Sequence, residues 1–128
     1  MHKIYHISRI TLFIIWFHHG LVPKIIFKDQ QEITMNEKLI PFLSENQALL
    51  YSGVSEIIYA FLILLFYKSK IILIPSILFS VLVTFVLLFT FPNFFTHAFN
   101  PFSINLSVMT LALINYYANP YNTKPTEQ

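Results

Sequence analysis

Glu56 is the residue in this sequence that most needs an explanation. It lies inside an apolar run from about Gln47 to Tyr67. A carboxylate in such a run has to be paired, protonated or turned toward a wet cavity, because a charge at a bilayer centre costs at least about 2.5–3.5 kcal/mol. His18 and His19 fall near the end of the first apolar run, Lys24 follows just beyond Pro23, and Asn105 stands about one turn into the last run. An acid, imidazoles and an ammonium are groups that take up, relay and hold protons, and an amide is a group that holds a carbonyl oxygen. The spacing argues against a metal. His18 and His19 are adjacent, so on a helix they point about 100° apart and do not easily share an ion. A bis-histidine haem needs a facing imidazole, and on that side the sequence offers His97, in a turn. His2, His6 and His97 read as ordinary histidines. Cysteine is absent, which removes disulfides, thiolate metal sites and cysteine nucleophiles.

The elements that must position these groups follow from composition and pattern. Of the 128 residues, 55 % are hydrophobic and 11 % charged, and the mean hydropathy is +0.62. An ordinary soluble domain is about 25 % charged. Apolar stretches cover about 4–22, 47–67, 71–91 and 102–118, each close to the ~20 residues that cross a ~30 Å hydrocarbon core. The expected fold is all-α: a four-transmembrane-helix bundle forming one domain over residues 1–118, with a flexible tail over 119–128. The first stretch does not read as a cleaved leader, since Pro23-Lys24-Ile25-Ile26-Phe27 follows it instead of small residues. Pro23 is expected to end or kink that helix. Residues 24–46 form the polar loop, either an ordinary connection or a short amphipathic helix at the bundle end or the interface.

Packing and orientation complete the scheme. Ser76, Ser80 and Thr84 make a small-residue seam at four-residue spacing, and Gly53 and Ala60 make another; such seams let membrane helices approach closely. With four spans, Lys3, Arg9, Lys68, Lys70 and Lys124 lie on one side and Lys24, Lys28 and Lys38 on the other. Five against three places both termini in the cytoplasm. Glu56 then sits roughly 13 Å beyond Gln47 at ~1.5 Å per residue, near the midplane. Helical side chains lean toward their own N-terminus. A histidine of the first span and Glu56 of the second therefore converge in the outer half, with Asn105 at similar depth and Lys24 reaching back over the top. The net charge of +2 is spread over scattered single basic residues, so nucleic acid is not an expected partner; the lipid bilayer is.

Three segments carry a family resemblance. They are Trp16-Phe17-His18-His19-Gly20-Leu21-Val22-Pro23-Lys24, Gly53-Val54-Ser55-Glu56, and Phe99-Asn100-Pro101-Phe102-Ser103-Ile104-Asn105-Leu106. In this order they resemble the DoxX-like family of small four-helix membrane proteins. The resemblance implies motif positions at Trp16, Gly20, Pro23, Lys24, Glu56, Asn100, Pro101 and Asn105. It also implies kinship with membrane subunits of quinol oxidation and thiosulfate-to-quinone electron transfer, and a place in a bacterial inner membrane. No GxGxxG loop is present and the chain has two glycines in all, so no cofactor is expected to be intrinsic and redox chemistry would come from a partner enzyme subunit.

The leading expectation is a redox-associated subunit that binds quinone or a similar lipid-soluble molecule, not catalytic on its own. In it Glu56 exchanges the proton, His18 or His19 relays it, and Asn105 holds a carbonyl oxygen. The alternative is a non-catalytic scaffold or assembly partner, in which Glu56 is bonded to its neighbours as helix glue. A transporter is disfavoured, because polar positions are too few for a continuous path and no internal repeat is evident.

Overall fold

In lipid the backbone must satisfy its N–H and C=O groups internally, and continuous apolar runs of about 20 residues do so within each run as helices. The computed structural model describes residues 2–122, and over them the chain is helical with no strand. Helix α1 (His2–His19) runs directly into a π-helical segment, Gly20–Ile26. Then follow α2 (Gln30–Leu39), α3 (Glu45–Leu65), α4 (Ile74–Thr90, entered through a 3-10 turn at Ile71–Leu73) and α5 (Pro101–Tyr117). Short 3-10 turns occupy Pro92–Thr96 and Pro120–Asn122. Lys124 and the rest of the tail from position 123 onward lie outside the described residues.

The sequence-based expectation is that Pro23 ends or kinks the first helix; the regular α-helix does stop at His19, but the chain stays helical through Pro23. The proline sits inside the π-helical segment, and the helix continues to Ile26. A proline in a regular α-helix lacks the N–H and clashes with the carbonyl four residues back. The wider turn of a π-helix, with i→i+5 bonds such as that from Phe27 N–H to the Val22 carbonyl at 3.0 Å, gives the proline ring more room. Lys28, at φ 48°, then takes the left-handed conformation that ends the segment. Asp29 starts α2 by accepting from the N–H groups of Gln31 and Glu32, the usual work of an N-cap. The chain turns by 99° between the helix ending at Ile26 and α2. The segment 24–46, expected to be a loop or a short amphipathic helix, is therefore mostly helix, and Lys24 belongs to the first helix.

The chain divides into two compact units, one from Phe13 to Leu65 and the other from the residues up to Leu12 together with those from Phe66 onward. In the second of these, α4 packs on α5. Ser76, Ser80 and Leu87 are buried on α4, and Val108 and Ala112 on α5, so the expected small-residue seam is an inward face. Arg9 is also buried in this unit. It donates to the Phe66 carbonyl (2.6 Å), to the Ser69 carbonyl (3.4 Å) and to Asn115 Oδ1 (2.8 Å). Asn115 in turn donates to the Tyr5 carbonyl and to Ser8 Oγ. A guanidinium with its five donors suits this work of closing the carbonyls beyond a helix end. Asn100 caps α5 by accepting from Ser103 N–H, and Pro101 occupies the first turn, where a missing N–H costs nothing.

Two stretches, α3 and Ile71–Thr90, are long and apolar enough to cross a membrane, with mean hydropathies of 1.9 and 2.8, and the bent pair His2–Ile26 with α2 makes a third candidate. Their outward faces carry large apolar side chains: Leu78, Leu82 and Phe85 are exposed, and Phe89 is 82 % exposed. A water-soluble protein rarely presents so continuous an apolar surface. The chain is an integral membrane protein.

Candidate functional site

The two glycines of the chain, Gly20 and Gly53, meet face to face in the unit from Phe13 to Leu65. A Cβ on Gly20 would lie 2.5 Å from the Gly53 carbonyl oxygen, and one on Gly53 would lie 2.8 Å from the Gly20 carbonyl oxygen. No side chain fits there, so the two backbones touch. Lys24 follows Gly20 by four residues and Glu56 follows Gly53 by three. Those spacings return to the same helix face, so the contact that brings the backbones together also brings Lys24 to Glu56.

The π-helical turn adds His19. Five residues apart on a regular α-helix, His19 and Lys24 would point about 140° from each other. A turn closed by i→i+5 bonds brings residues at that spacing round to one face. Both side chains consequently reach the same carboxylate. Lys24 Nζ pairs with Glu56 Oε1, and His19 Nδ1 lies 3.0 Å from Glu56 Oε2.

Glu32, in the first turn of α2, closes the arrangement. Its Oε1 lies 3.4 Å from His19 Nε2 and its Oε2 lies 3.5 Å from Lys24 Nζ. Glu56, His19, Glu32 and Lys24 thus form a ring of four ionisable groups in which each touches two others. The Lys24 and Glu56 side chains are 5 % and 7 % exposed, whereas the imidazole of His19 is 37 % exposed. Two carboxylates face one ammonium, and the imidazole stands between the carboxylates with a nitrogen toward each. A neutral imidazole donates from one nitrogen, and an imidazolium donates from both. A proton on His19 would give each carboxylate an N–H facing it and would balance the charge of the ring.

Of the residues singled out from sequence, Glu56, His19 and Lys24 come together. His18 does not join them; it is exposed, turned away from the ring by the helical step after which His19 follows. Asn105 belongs to the other unit, where its side-chain amide donates to Thr84 Oγ1 at 3.0 Å. Asn100 and Pro101 start α5. Trp16 is buried in the ring's own unit and meets the Tyr59 ring edge-on at 5.1 Å between centroids. Glu32 was not singled out, being one acid among several in the polar segment. Its signal was Asp29-Gln30-Gln31-Glu32, the spacing of a capping box, which marks a helix start and puts Glu32 in its first turn.

Comparison with curated proteins and with solved structures gives no match. A sequence model of the DoxX-like family matches residues 13–113. That stretch takes in every motif position from Trp16 to Asn105, as well as the four members of the ring, and the chain belongs to the DoxX-like family.

Proposed function

We propose that the protein is a redox-associated membrane subunit that binds a quinone or a similar lipid-soluble molecule at the ring of His19, Lys24, Glu32 and Glu56, with the electrons supplied by a partner enzyme. The observation that carries this reading is the pairing of a buried carboxylate with a partly exposed imidazole. Glu56 holds a proton site inside an apolar helix, and His19 gives it a route outward through a second carboxylate, Glu32. A quinone takes up protons with its electrons, and the chain's part is to position its head and to hold and pass those protons. His18, exposed and turned away from the ring, and Asn105, bonded to Thr84 in the other unit, drop out of the set. In the same reading α5 is the fourth span, both termini are cytoplasmic, and the membrane is a bacterial inner membrane. Burial of Arg9 and Lys24 removes one charge from each side of the Lys and Arg tally, and the remaining four against two keeps the same sign.

The test is to purify the protein in native lipid, record its visible spectrum and identify the extracted lipids by mass spectrometry. Near-stoichiometric quinone in the wild type, lost in Glu56→Gln, is the expected result. A quinone-free wild type would count against the proposal.

A second reading is a scaffold that holds another enzyme in the membrane. It is favoured by the mutual pairing of all four ring members and by the glycine contact beneath them, which together would make a rigid pin. In that case Glu56→Gln lowers thermal stability, and no ligand is there to be lost.

A further inference from the structure

Hydroxyl groups on these helices follow one habit. Thr11, Thr34, Ser55, Thr84, Thr90 and Ser107 each donate to a backbone carbonyl three or four residues back, the usual way of satisfying a hydroxyl in lipid. Ser52 departs from it. Its Oγ is buried without a hydrogen-bond partner, and it is the one such side-chain atom among the described residues. Ser52 precedes Glu56 by four residues and Tyr59 by seven on α3, so the three share a stripe. At the far end of the stripe, Tyr59 meets Trp16 edge-on. The stripe thus runs from an unspent hydroxyl, past the acid of the ring, to a pair of aromatic rings.

We propose that Ser52 holds the polar head of the bound molecule, donating its O–H to an acceptor oxygen such as a ring carbonyl. Both carboxylate oxygens of Glu56 already have partners in Lys24 and His19, so the unpaired hydroxyl one turn earlier on the same stripe is the group left to fix such an oxygen's position. Ser52 is accordingly a positioning residue, and a molecule lacking the acceptor oxygen is discriminated against. The inference rests on the ligand-site reading above and adds to it the residue that selects the head group.

Trp16 is the single tryptophan of the chain and reports on the stripe directly. The full chain, reconstituted in lipid nanodiscs, is titrated with a short-chain benzoquinone while Trp16 fluorescence is followed. Thermal midpoints are recorded for wild type, Ser52→Ala and Ser52→Thr. Expected is a loss of affinity of about five- to tenfold in Ser52→Ala, the size of one hydrogen bond. Its thermal midpoint should not fall, and Ser52→Thr, which keeps the hydroxyl, should stay near wild type. Unchanged affinity in Ser52→Ala, with or without a lower midpoint, overturns the inference while leaving quinone binding intact. It would mean that the hydroxyl serves a water or the fold. A wild type whose fluorescence does not respond at all sinks both the inference and the quinone reading.

Discussion

Glu56 is tolerated inside an apolar helix because two groups from the first helix and its π-helical continuation reach it at once. Lys24 neutralises one oxygen and His19 occupies the other. Breaking a buried pair by removing one partner costs about 3–5 kcal/mol, whereas removing both partners costs far less. Lys24→Met should therefore destabilise the protein by that amount, and Lys24→Met combined with Glu56→Leu should recover most of the loss in detergent unfolding. Strictly additive single effects would show that the pair is not the interaction that matters. His19 differs from Lys24 in being partly exposed, so under the proposed relay its removal should weaken the route to the acid more than it weakens the fold. The sequence exposed much of this. An acid in mid-helix and a lysine beyond a proline are visible as residue types, side-chain lean brings a histidine of the first span toward the acid, and the lysine is near enough to reach back over them. It hid Glu32, whose partners lie on other elements, and it could not show that Asn105 would spend its amide on Thr84, since several hydroxyls were equally in reach.

Two backbone devices decide whether the ring can exist: the π-helical turn at Gly20–Ile26 and the contact of Gly20 with Gly53. Helix propensity alone predicts that Gly20→Ala stabilises the helix, by about 0.8–1 kcal/mol. The contact predicts the opposite, because a Cβ would sit 2.5 Å from a backbone oxygen that belongs to another helix, and overpacking of that kind costs about 1–3 kcal/mol. The contact should win. Gly20→Ala is expected to lower the thermal midpoint and to loosen the Lys24–Glu56 pair, whereas a raised midpoint would show that the helices are free to separate. The apolar runs of the helices could be read from the sequence, because a run of about 20 apolar residues has few other ways to fold in lipid. The π turn could not. Pro23 marks a disturbance in the helix, but whether the chain answers with a break, a kink or a wider turn depends on what the next residues bury, and here they bury Lys24 against Glu56.

For the molecule as a whole, family membership and the apolar surface define an integral membrane protein, and the proposed arrangement of four spans puts the ring toward the outer face. The absence of cysteine makes that arrangement directly testable with single introduced cysteines and a membrane-impermeant maleimide. Glu37→Cys on α2 should be labelled from the outside of intact cells, and Lys70→Cys should be labelled after the cells are opened. The reverse pattern would invert the topology, and labelling of both positions from one side would remove a span. The account as a whole turns on whether the bound molecule and Glu56 feel each other. The most direct measurement is an infrared difference spectrum of the reconstituted protein on addition of a short-chain quinone. A carboxyl difference band that vanishes in Glu56→Gln is the predicted result; a bound quinone that leaves the Glu56 carboxyl unperturbed would contradict it.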